Sequence, residues 1–256
     1  MRQRCRVCDS TSIKLLFRGP LLDDEVCYFE CTDCGYVQTQ EPHWLDRAYA
    51  NPINDTDVGI MARNMGNVKI VLSSLIVLGC RDGYVIDNAG GYGILTRLLR
   101  DHGVNAFWND LYCQNLIAKG FEQSDDVEGT LVTCFEAYEH FVHPVNEMAR
   151  LLDSAPNILL STELIATPAP SLDSWYYYGS NHGQHIGFFR LQTLEYLARK
   201  FEMYLISDGR SHHLFSKQKV NKTAWKTLIN IGRLNPKLLS LWMTKKVNDT
   251  AAVFHP

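Results

Sequence analysis

The chain has 256 residues, of which 46% are hydrophobic and 21% charged, and its net charge at pH 7 is −3. This composition is typical of a globular protein and excludes a collagen-like repeat, a disordered tail and a small disulfide-rich knot. The acidic balance excludes a global basic field that would attract nucleic acid. Residues 1–8 contain no apolar stretch, and the longest apolar run, residues 70–80, is too short to span a membrane, so we expect a cytoplasmic protein.

Two cysteine pairs lie near the N-terminus. Cys5 and Cys8 form one Cys-x-x-Cys pair, and Cys31 and Cys34 form a second. Two such pairs can bring four thiolates to one tetrahedral Zn²⁺, whereas disulfides are disfavoured in a reducing cytoplasm. Four cysteines leave no open coordination position, so the predicted zinc is structural. The sequence therefore predicts a zinc-ribbon lobe over residues 1–42, with metal binding supplying folding free energy.

The rest of the chain predicts helices first and then alternating strands and helices. Residues 43–79 have apolar residues at helical spacing, with a break at Asn51 and Pro52, and predict a helical lid or connector. The predicted strands cover residues 84–89, 106–109, 129–135 and 157–163, and the predicted helices cover residues 94–102, 145–152 and 191–201. Residues 203–207 and 213–216 predict a closing antiparallel pair. This alternation predicts an α/β fold with a mostly parallel sheet over residues 80–218.

A glycine-rich loop follows the first predicted strand of this sheet. The strand ends at Asp87, and Gly90, Gly91 and Gly93 lead into the next helix. Glycines let the backbone approach a ligand closely, and the helix N-terminus offers free N–H groups. Asp110 ends the next strand, where a carboxylate can accept hydrogen bonds from ribose hydroxyls. The pattern predicts a site for a nucleoside cofactor.

The residues of this loop favour S-adenosylmethionine over a dinucleotide. Thr96 stands where a dinucleotide fingerprint would have its last glycine, and Asp87 suits a cationic ligand without phosphates. Residues 85–93, Val-Ile-Asp-Asn-Ala-Gly-Gly-Tyr-Gly, resemble motif I of class I S-adenosylmethionine-dependent methyltransferases, with Ala89 in place of the usual first glycine. Residues 107–110 resemble their second acidic motif, and residues 133–140 resemble a central-strand segment that ends in Glu-His in many small-molecule members.

The resemblance covers about residues 80–218 and implies a Rossmann-like class I methyltransferase sheet with a C-terminal antiparallel strand. A cysteine-pair lobe ahead of such a domain is also similar to sugar C-methyltransferases and to bacterial carbohydrate-cluster methyltransferases. The cofactor-binding residues implied by the resemblance are Asp87, Ala89, Gly90, Gly91, Gly93, Asp110, Phe135 and Glu136. Glu122 is a candidate for an adenine contact, and Arg63 for a contact with the cofactor carboxylate, with a solvated helix face as the alternative for Arg63.

A segment rich in aromatic residues and histidines, residues 172–190, follows the last parallel strand and emerges at the carboxyl edge of the sheet. Methyl transfer to a hydroxyl requires proton removal, and histidine is suited to that task near neutral pH. The candidate catalytic residues are His182, His185, His140, Glu139 and Tyr178. We expect His182 or His185 to be the base, with Glu139 orienting His140 or contacting the substrate. The alternatives are lid packing for the tyrosines and structural hydrogen bonding for the histidines.

The C-terminal region, residues 219–256, predicts two basic amphipathic helices. Residues 217–246 contain eight basic residues and no acidic residue. The helices either pack with a solvated lysine face or contact an anionic partner, such as a nucleotide-sugar, a lipid-linked glycan or a membrane surface.

These features predict a methyltransferase that acts on a small polar acceptor. A sugar, nucleotide-sugar or glycan is favoured as the acceptor, and O-methylation is favoured over C- or N-methylation. One alternative is a ribosomal RNA methyltransferase with a zinc lobe, but residues 1–46 contain five basic and eight acidic residues, which argues against RNA. A non-catalytic zinc-ribbon scaffold and a dehydrogenase are further alternatives. The sequence leaves the oligomeric state open.

Overall fold

The computed structural model describes residues 3–50, 58–243 and 249. The strands are β1 (Ile13–Leu21), β2 (Asp24–Cys31), β3 (Val37–Thr39), β4 (Tyr84–Asn88), β5 (Asn105–Asn109), β6 (Leu131–Phe135), β7 (Ile158–Ser161), β8 (Gly187–Phe188), β9 (Tyr204–Ser207) and β10 (His212–Ser216). The α-helices are α1 (Leu45–Ala48), α2 (Ile60–Leu78), α3 (Ile94–Asp101), α4 (Pro144–Ser154), α5 (Leu191–Lys200), α6 (Lys222–Leu234) and α7 (Pro236–Ser240).

The larger of the two sheets has six strands in the order β5-β4-β6-β7-β10-β9. The strands β4 to β7 are parallel, and β10 runs antiparallel to both β7 and β9. The predicted fold class is therefore confirmed: an α/β sheet that is parallel apart from its C-terminal antiparallel strand. Because β4, β5, β6 and β7 are parallel, the loops that follow them meet at one edge of the sheet.

Helices cover both faces of this sheet, as the alternation of its apolar residues requires. Successive residues of a strand point to opposite faces. Val85 and Leu131 belong to the apolar cluster that contains residues of α2, α3 and α6. Ile86 and Val132 belong to the cluster that contains residues of α4 and α5. The central strands are thus buried on both sides, which accounts for their continuous apolar runs.

The helix α2 is 19 residues long and is apolar enough, by length and composition alone, to cross a membrane. Half of the relevant window is buried inside the protein. The hydroxyl of Ser74 donates to the carbonyl of Ile70, and the indole Nε1 of Trp225 in α6 donates to the Ser74 hydroxyl at 2.9 Å. Packing against the sheet and α6 therefore accounts for the apolar composition of α2.

The smaller sheet has the order β1-β2-β3-β8 and joins the N-terminal residues to the segment after β7. The strand β3 pairs with β8, and the Thr193 hydroxyl at the start of α5 donates to the carbonyl of Cys34 at 2.8 Å. The guanidinium of Arg190 forms an ion pair with Glu30, and both side chains are largely buried. The N-terminal lobe thus shares its sheet and its core with the rest of the protein.

The domain boundaries predicted at residues 42, 79 and 218 stay a prediction. The predicted break at Asn51 and Pro52 lies outside the described residues. So does the C-terminal end of the predicted basic helices, residues 244–248 and 250–256.

Candidate active site

A cavity of about 420 Å³ lies at the carboxyl edge of the parallel strands, where open α/β sheets bind their ligands. Its wall is formed by the loops after β4, β5 and β6, by α2 and by the aromatic segment that precedes β8. The predicted site residues that line it are Asp87, Ala89, Gly90, Gly91, Asp110, Phe135, Glu136, His140, His182 and His185. The structure therefore brings the predicted cofactor residues other than Gly93, and the three candidate histidines, to one cavity. Arg63 also lines it.

The loop after β4 has the backbone conformation that the glycine pattern predicts. Ala89 and Gly91 have φ values of 56° and 54°, in the left-handed region that favours glycine. A Cβ on Gly90 would lie 2.8 Å from the Trp108 ring. A left-handed alanine is strained, and such strain is commonly found where a loop is shaped for a ligand.

Asp87 lies at the base of this loop and is buried. Its carboxylate accepts hydrogen bonds from the hydroxyls of Thr96 and Thr133, at 2.9 and 2.8 Å. Burial raises the pKa of Asp87 to about 6, because desolvation disfavours the charged form more than these two bonds stabilise it. A buried carboxylate in the cavity wall suits a cationic group of a ligand, such as an ammonium.

Asp110 holds the next loop against the first. Its Oδ2 accepts from the backbone N–H of Gly91 at 2.9 Å, and its Oδ1 accepts from the N–H groups of Tyr112 and Cys113. A carboxylate has about four acceptor positions, so Asp110 keeps acceptor capacity toward the cavity. This donor and acceptor set fits the nucleoside part of S-adenosylmethionine.

Glu136 forms the wall directly after β6. Its φ of 50° is again left-handed, and its carboxylate accepts a hydrogen bond of 2.6 Å from the Ser161 hydroxyl at the end of β7. The Ser161 hydroxyl also accepts from the backbone N–H of Glu136. Two neighbouring parallel strands therefore fix the turn that leads to Glu139 and His140.

Three histidines lie side by side in the wall of the same cavity. The ring centroids of His140 and His185 are 5.0 Å apart, and those of His182 and His185 are 4.8 Å apart. Burial lowers the pKa of all three, that of His185 to about 3. Neutral imidazole has one nitrogen that can accept a proton, so the cluster offers proton acceptors at neutral pH.

The tautomer of His185 is fixed by a backbone carbonyl. Its Nδ1 lies 2.5 Å from the carbonyl oxygen of Tyr177, so Nδ1 carries the hydrogen and Nε2 keeps its lone pair. Nε2 lies 3.9 Å from Oε1 of Glu139. That oxygen accepts a hydrogen bond of 2.6 Å from the Tyr177 hydroxyl. Among the described residues, Glu139 Oε2 and His140 Nε2 are buried without a hydrogen-bond partner.

Glu139 gives a testable dependence of stability on pH. Burial, and then the negative charge of Glu136, raises the pKa of Glu139 to about 8 from an ordinary value of 4.5. Between pH 4.5 and pH 8, Glu139 therefore keeps its proton in the folded protein but loses it in the unfolded protein. Stability from this group is complete below pH 4.5 and is lost as the pH rises through 8. The free energy of unfolding of the wild type should therefore fall between about pH 5 and about pH 8.5. In Glu139→Gln we expect this fall to be smaller by at least about 1 kcal/mol.

Urea unfolding at the two pH values measures this difference. The exposed Glu195→Gln variant is the matched control and should follow the wild type. An equal pH dependence in the wild type and Glu139→Gln would contradict a neutral, buried Glu139.

Tyr178, Gly93 and Glu122, three of the residues predicted for the site, do not line the cavity. Tyr178 is buried outside the cavity, with its hydroxyl donating to the Pro170 carbonyl and its ring packed on Phe188. Gly93 does not line the cavity either; it begins α3, where a Cβ would collide with Asn115. The carboxylate of Glu122 instead accepts from Asn115 and from the N–H of Gly120.

Sequence reasoning selected Tyr178 from a run of three tyrosines, whereas Tyr176 and Tyr177 line the cavity. Tyr177 is buried and bonded to Glu139, while the ring of its neighbour Tyr178 packs against Phe17 of β1 and Tyr28 of β2. In a run of three tyrosines, no local signal indicates which ring faces the site. Tyr49 and Tyr112 also line the cavity, with their rings stacked at 5.2 Å, and they are far apart in the chain.

The four predicted metal-binding cysteines come together in the N-terminal lobe. Their sulfur atoms all lie within 4.8 Å of one another, and the pairs Cys5–Cys34 and Cys8–Cys31 have Sγ–Sγ distances of 3.5 Å. Tetrahedral zinc with Zn–S bonds of about 2.3 Å places its sulfurs about 3.8 Å apart. The donor set and its spacing fit Zn²⁺.

The fold and the cavity define an enzyme that binds a nucleoside cofactor at the carboxyl edge of a parallel sheet. A family model described as a methyltransferase domain matches residues 72–207, just over half of the chain. The chain therefore belongs to this methyltransferase family, and it is an S-adenosylmethionine-dependent methyltransferase.

Solved structures with a similar fold share little sequence with this chain. Magnesium protoporphyrin IX methyltransferase (ChlM) from Synechocystis PCC 6803, with bound SAH, is 14% identical, with 67% of this chain and 90% of that chain covered and a TM-score of 0.44. An O-methyltransferase family protein from Burkholderia thailandensis is 15% identical, with 70% and 64% covered and a TM-score of 0.47. Human N-acetylserotonin methyltransferase is 13% identical, with 60% and 52% covered and a TM-score of 0.41. No curated protein matches the chain.

Proposed function

We propose that this enzyme transfers a methyl group to a hydroxyl of a small polar acceptor, with a sugar, nucleotide-sugar or glycan as the acceptor class. The observation that carries the proposal is the position of His185 in the same cavity as the cofactor loop. Bound S-adenosylmethionine supplies an electrophilic methyl group on a sulfonium centre. The protein must then hold the acceptor oxygen in line with that group and take its proton.

His185 is the candidate base whose accepting atom is fixed by its hydrogen bond. The Tyr177 carbonyl holds its Nδ1–H, so Nε2 is the accepting atom and points to the side of the ring where Glu139 lies. When Nε2 is protonated, the resulting N–H lies on the side of Oε1 of Glu139, an oxygen that accepts hydrogen bonds in the neutral carboxyl as well. His140, with its unpartnered Nε2, is placed to orient the acceptor hydroxyl.

The aromatic side chains of the cavity support a carbohydrate acceptor. Tyr49, Tyr112 and Tyr176 present ring faces or edges to the cavity, and Tyr112 and Tyr176 are mostly exposed. Aromatic faces pack against the apolar faces of sugar rings and attract a cationic sulfonium.

We also propose that Cys5, Cys8, Cys31 and Cys34 hold one structural Zn²⁺. The backbone N–H of Val7 donates to the sulfur of Cys5, as expected at a thiolate ligand. All four ligands are cysteines, which leaves no position for a substrate, so the metal would act on stability and not on chemistry. A cytoplasmic location stays a prediction, and so does the absence of a nucleic-acid partner.

Calorimetric titration with S-adenosylhomocysteine, with NAD as the control ligand, tests the cofactor site. We expect binding of S-adenosylhomocysteine alone, and a loss of about 10- to 100-fold in affinity in Asp110→Ala, since hydrogen bonds to a charged acceptor contribute about 1.5–3 kcal/mol. The matched control is Asp125→Ala, which removes an exposed carboxylate from the loop between β5 and β6. Equal affinities in the two variants would remove Asp110 from the cofactor site. Binding of NAD in place of S-adenosylhomocysteine would favour the dehydrogenase alternative.

A further inference from the structure

A second cavity, of about 560 Å³, lies beside the first between α2, α6 and the turn that joins β9 to β10. The two cavities share part of their walls: Arg63, Asn67, Glu136, Tyr176 and Tyr177 line both. A molecule whose reactive end lies at the histidine cluster can therefore extend into the second cavity.

Cationic side chains from three separate elements converge on this second cavity. They are Arg63 and Lys69 of α2, Arg210 of the turn after β9, and Lys226 and Arg233 of α6. Lys226 and Arg233 are seven residues apart, which places them two turns apart on one face of α6. The basic face of the C-terminal region is thus directed, in part, at a concave surface next to the active site.

The acidic residues of the second cavity have donors of their own. Glu163 accepts from the Tyr176 hydroxyl, Asp208 accepts from three backbone N–H groups, and Glu136 accepts from Ser161. They belong to the local turns that they stabilise.

Two of these cations, Lys69 and Arg233, donate to neutral partners. Lys69 donates to the carbonyl of Gly66, and Arg233 donates to the side-chain amide of Asn230. Burial lowers the pKa of Lys69, and the positive charge of Arg233 lowers it further. Lys69, Arg210, Lys226 and Arg233 outnumber the three carboxylates of this cavity, so a bound anion would reduce the repulsion between the cations.

We propose that the second cavity binds a diphosphate group of the methyl acceptor. The proposal rests on the proposed function, because the diphosphate would lie beside the acceptor sugar at the histidine cluster. Arginine and lysine together suit phosphate: the arginine fork binds two oxygens at once, and lysine adds a point charge. A diphosphate on a sugar is the shared chemistry of nucleotide-linked and lipid-linked sugars.

Titration of the full chain, saturated with S-adenosylhomocysteine, with sodium pyrophosphate tests this site. The test variant is the pair Lys226→Gln and Arg233→Gln. The matched control is the pair Lys222→Gln and Lys237→Gln, which removes the same charge from α6 and α7 without touching the cavity. We expect pyrophosphate affinity to fall at least about tenfold in the cavity pair and less than about twofold in the control pair.

The outcomes separate this proposal from the proposed function. Failure of the wild type to bind S-adenosylhomocysteine would overturn the proposed function. Normal binding of S-adenosylhomocysteine without pyrophosphate binding, or with equal losses in the two pairs, would overturn the diphosphate site alone. In the supporting case, comparison of UDP with geranyl diphosphate distinguishes the sources: tighter binding of UDP than of pyrophosphate indicates a nucleotide-linked sugar, and tighter binding of geranyl diphosphate a lipid-linked one.

Discussion

Replacement of Cys34 by serine is expected to lower the melting temperature of the whole protein and to release its zinc. Structural zinc sites contribute folding free energy directly. A loss of about 3 kcal/mol would lower the melting temperature by about 6–12 °C in a chain of this size. Differential scanning calorimetry and metal analysis of the purified variant measure the two effects.

Loss of the zinc should also affect the active site, because the N-terminal lobe forms hydrogen bonds with the segment that contains His185. The indole Nε1 of Trp44 donates to the carbonyl of Gly183 at 2.8 Å, and the backbone N–H of Thr39 donates to the carbonyl of Ile186 at 3.0 Å. These two bonds flank His185. We therefore expect Cys34→Ser to lower the turnover number at temperatures where the protein is still folded.

Cys27→Ser is the matched control for this prediction. Cys27 lies in β2, in the same lobe, and does not belong to the cluster of four sulfurs. It should keep one zinc per chain and a melting temperature close to that of the wild type. A wild-type protein without zinc, or a Cys34→Ser variant as stable as Cys27→Ser, would contradict the structural role of the metal.

The parts of this enzyme that could be predicted from sequence are those encoded over short distances. The order of strands and helices follows from local apolar periods, and the cofactor loop from Asp87 and three glycines within seven residues. The cysteine cluster follows from the spacing within each pair. In all three cases, neighbours in the chain are also neighbours in space, so a local pattern carries the information.

The features that could not be predicted depend on pairing between distant segments. The pairing of β3 with β8 joins residues about 150 positions apart, and it decides which tyrosine faces the cavity. Tyr178 contacts Phe17 and Tyr28 of the first two strands, and this leaves Tyr177 to bond Glu139. The raised pKa of Glu139 has the same origin, because its desolvation comes from residues on several elements.

The role of the basic C-terminal region could not be predicted from sequence either. The sequence indicates a basic face on α6 and two alternatives for it, solvation or an anionic partner. Only the fold shows that Lys226 and Arg233 face Lys69 of α2 across a cavity that adjoins the active site. The position of α2 therefore favours an anionic partner over simple solvation for this part of α6.

Replacement of His185 by alanine is expected to lower the turnover number by about 10²- to 10⁴-fold, the usual contribution of a general base. The affinity for S-adenosylhomocysteine should change little, because His185 belongs to the aromatic segment and not to the cofactor loop after β4. Single-turnover kinetics with a methylated product as the readout separate the chemical step from binding. Added imidazole should restore part of the rate by entering the space that the side chain leaves.

His182→Ala is the matched comparison, since its ring lies 4.8 Å from that of His185 in the same wall. The backbone N–H of Gln184 donates to its Nδ1 at 3.2 Å, a bond that stabilises the local turn, and we expect a loss of less than about tenfold. A larger loss in His182→Ala than in His185→Ala would assign the base to His182 instead.

The pH dependence provides a second, independent test of the same assignment. Burial lowers the pKa of His185 to about 3, so its Nε2 stays unprotonated as the pH falls through 6.5, where an exposed histidine would gain a proton. With His185 as the base, and with S-adenosylmethionine saturating so that titration of Asp87 in the free enzyme does not enter, kcat/KM for the acceptor should show no acid limb near pH 6.5 and should stay level down to about pH 5. A decline in kcat/KM centred near pH 6.5 would instead indicate a solvated base, which the buried His185 is not.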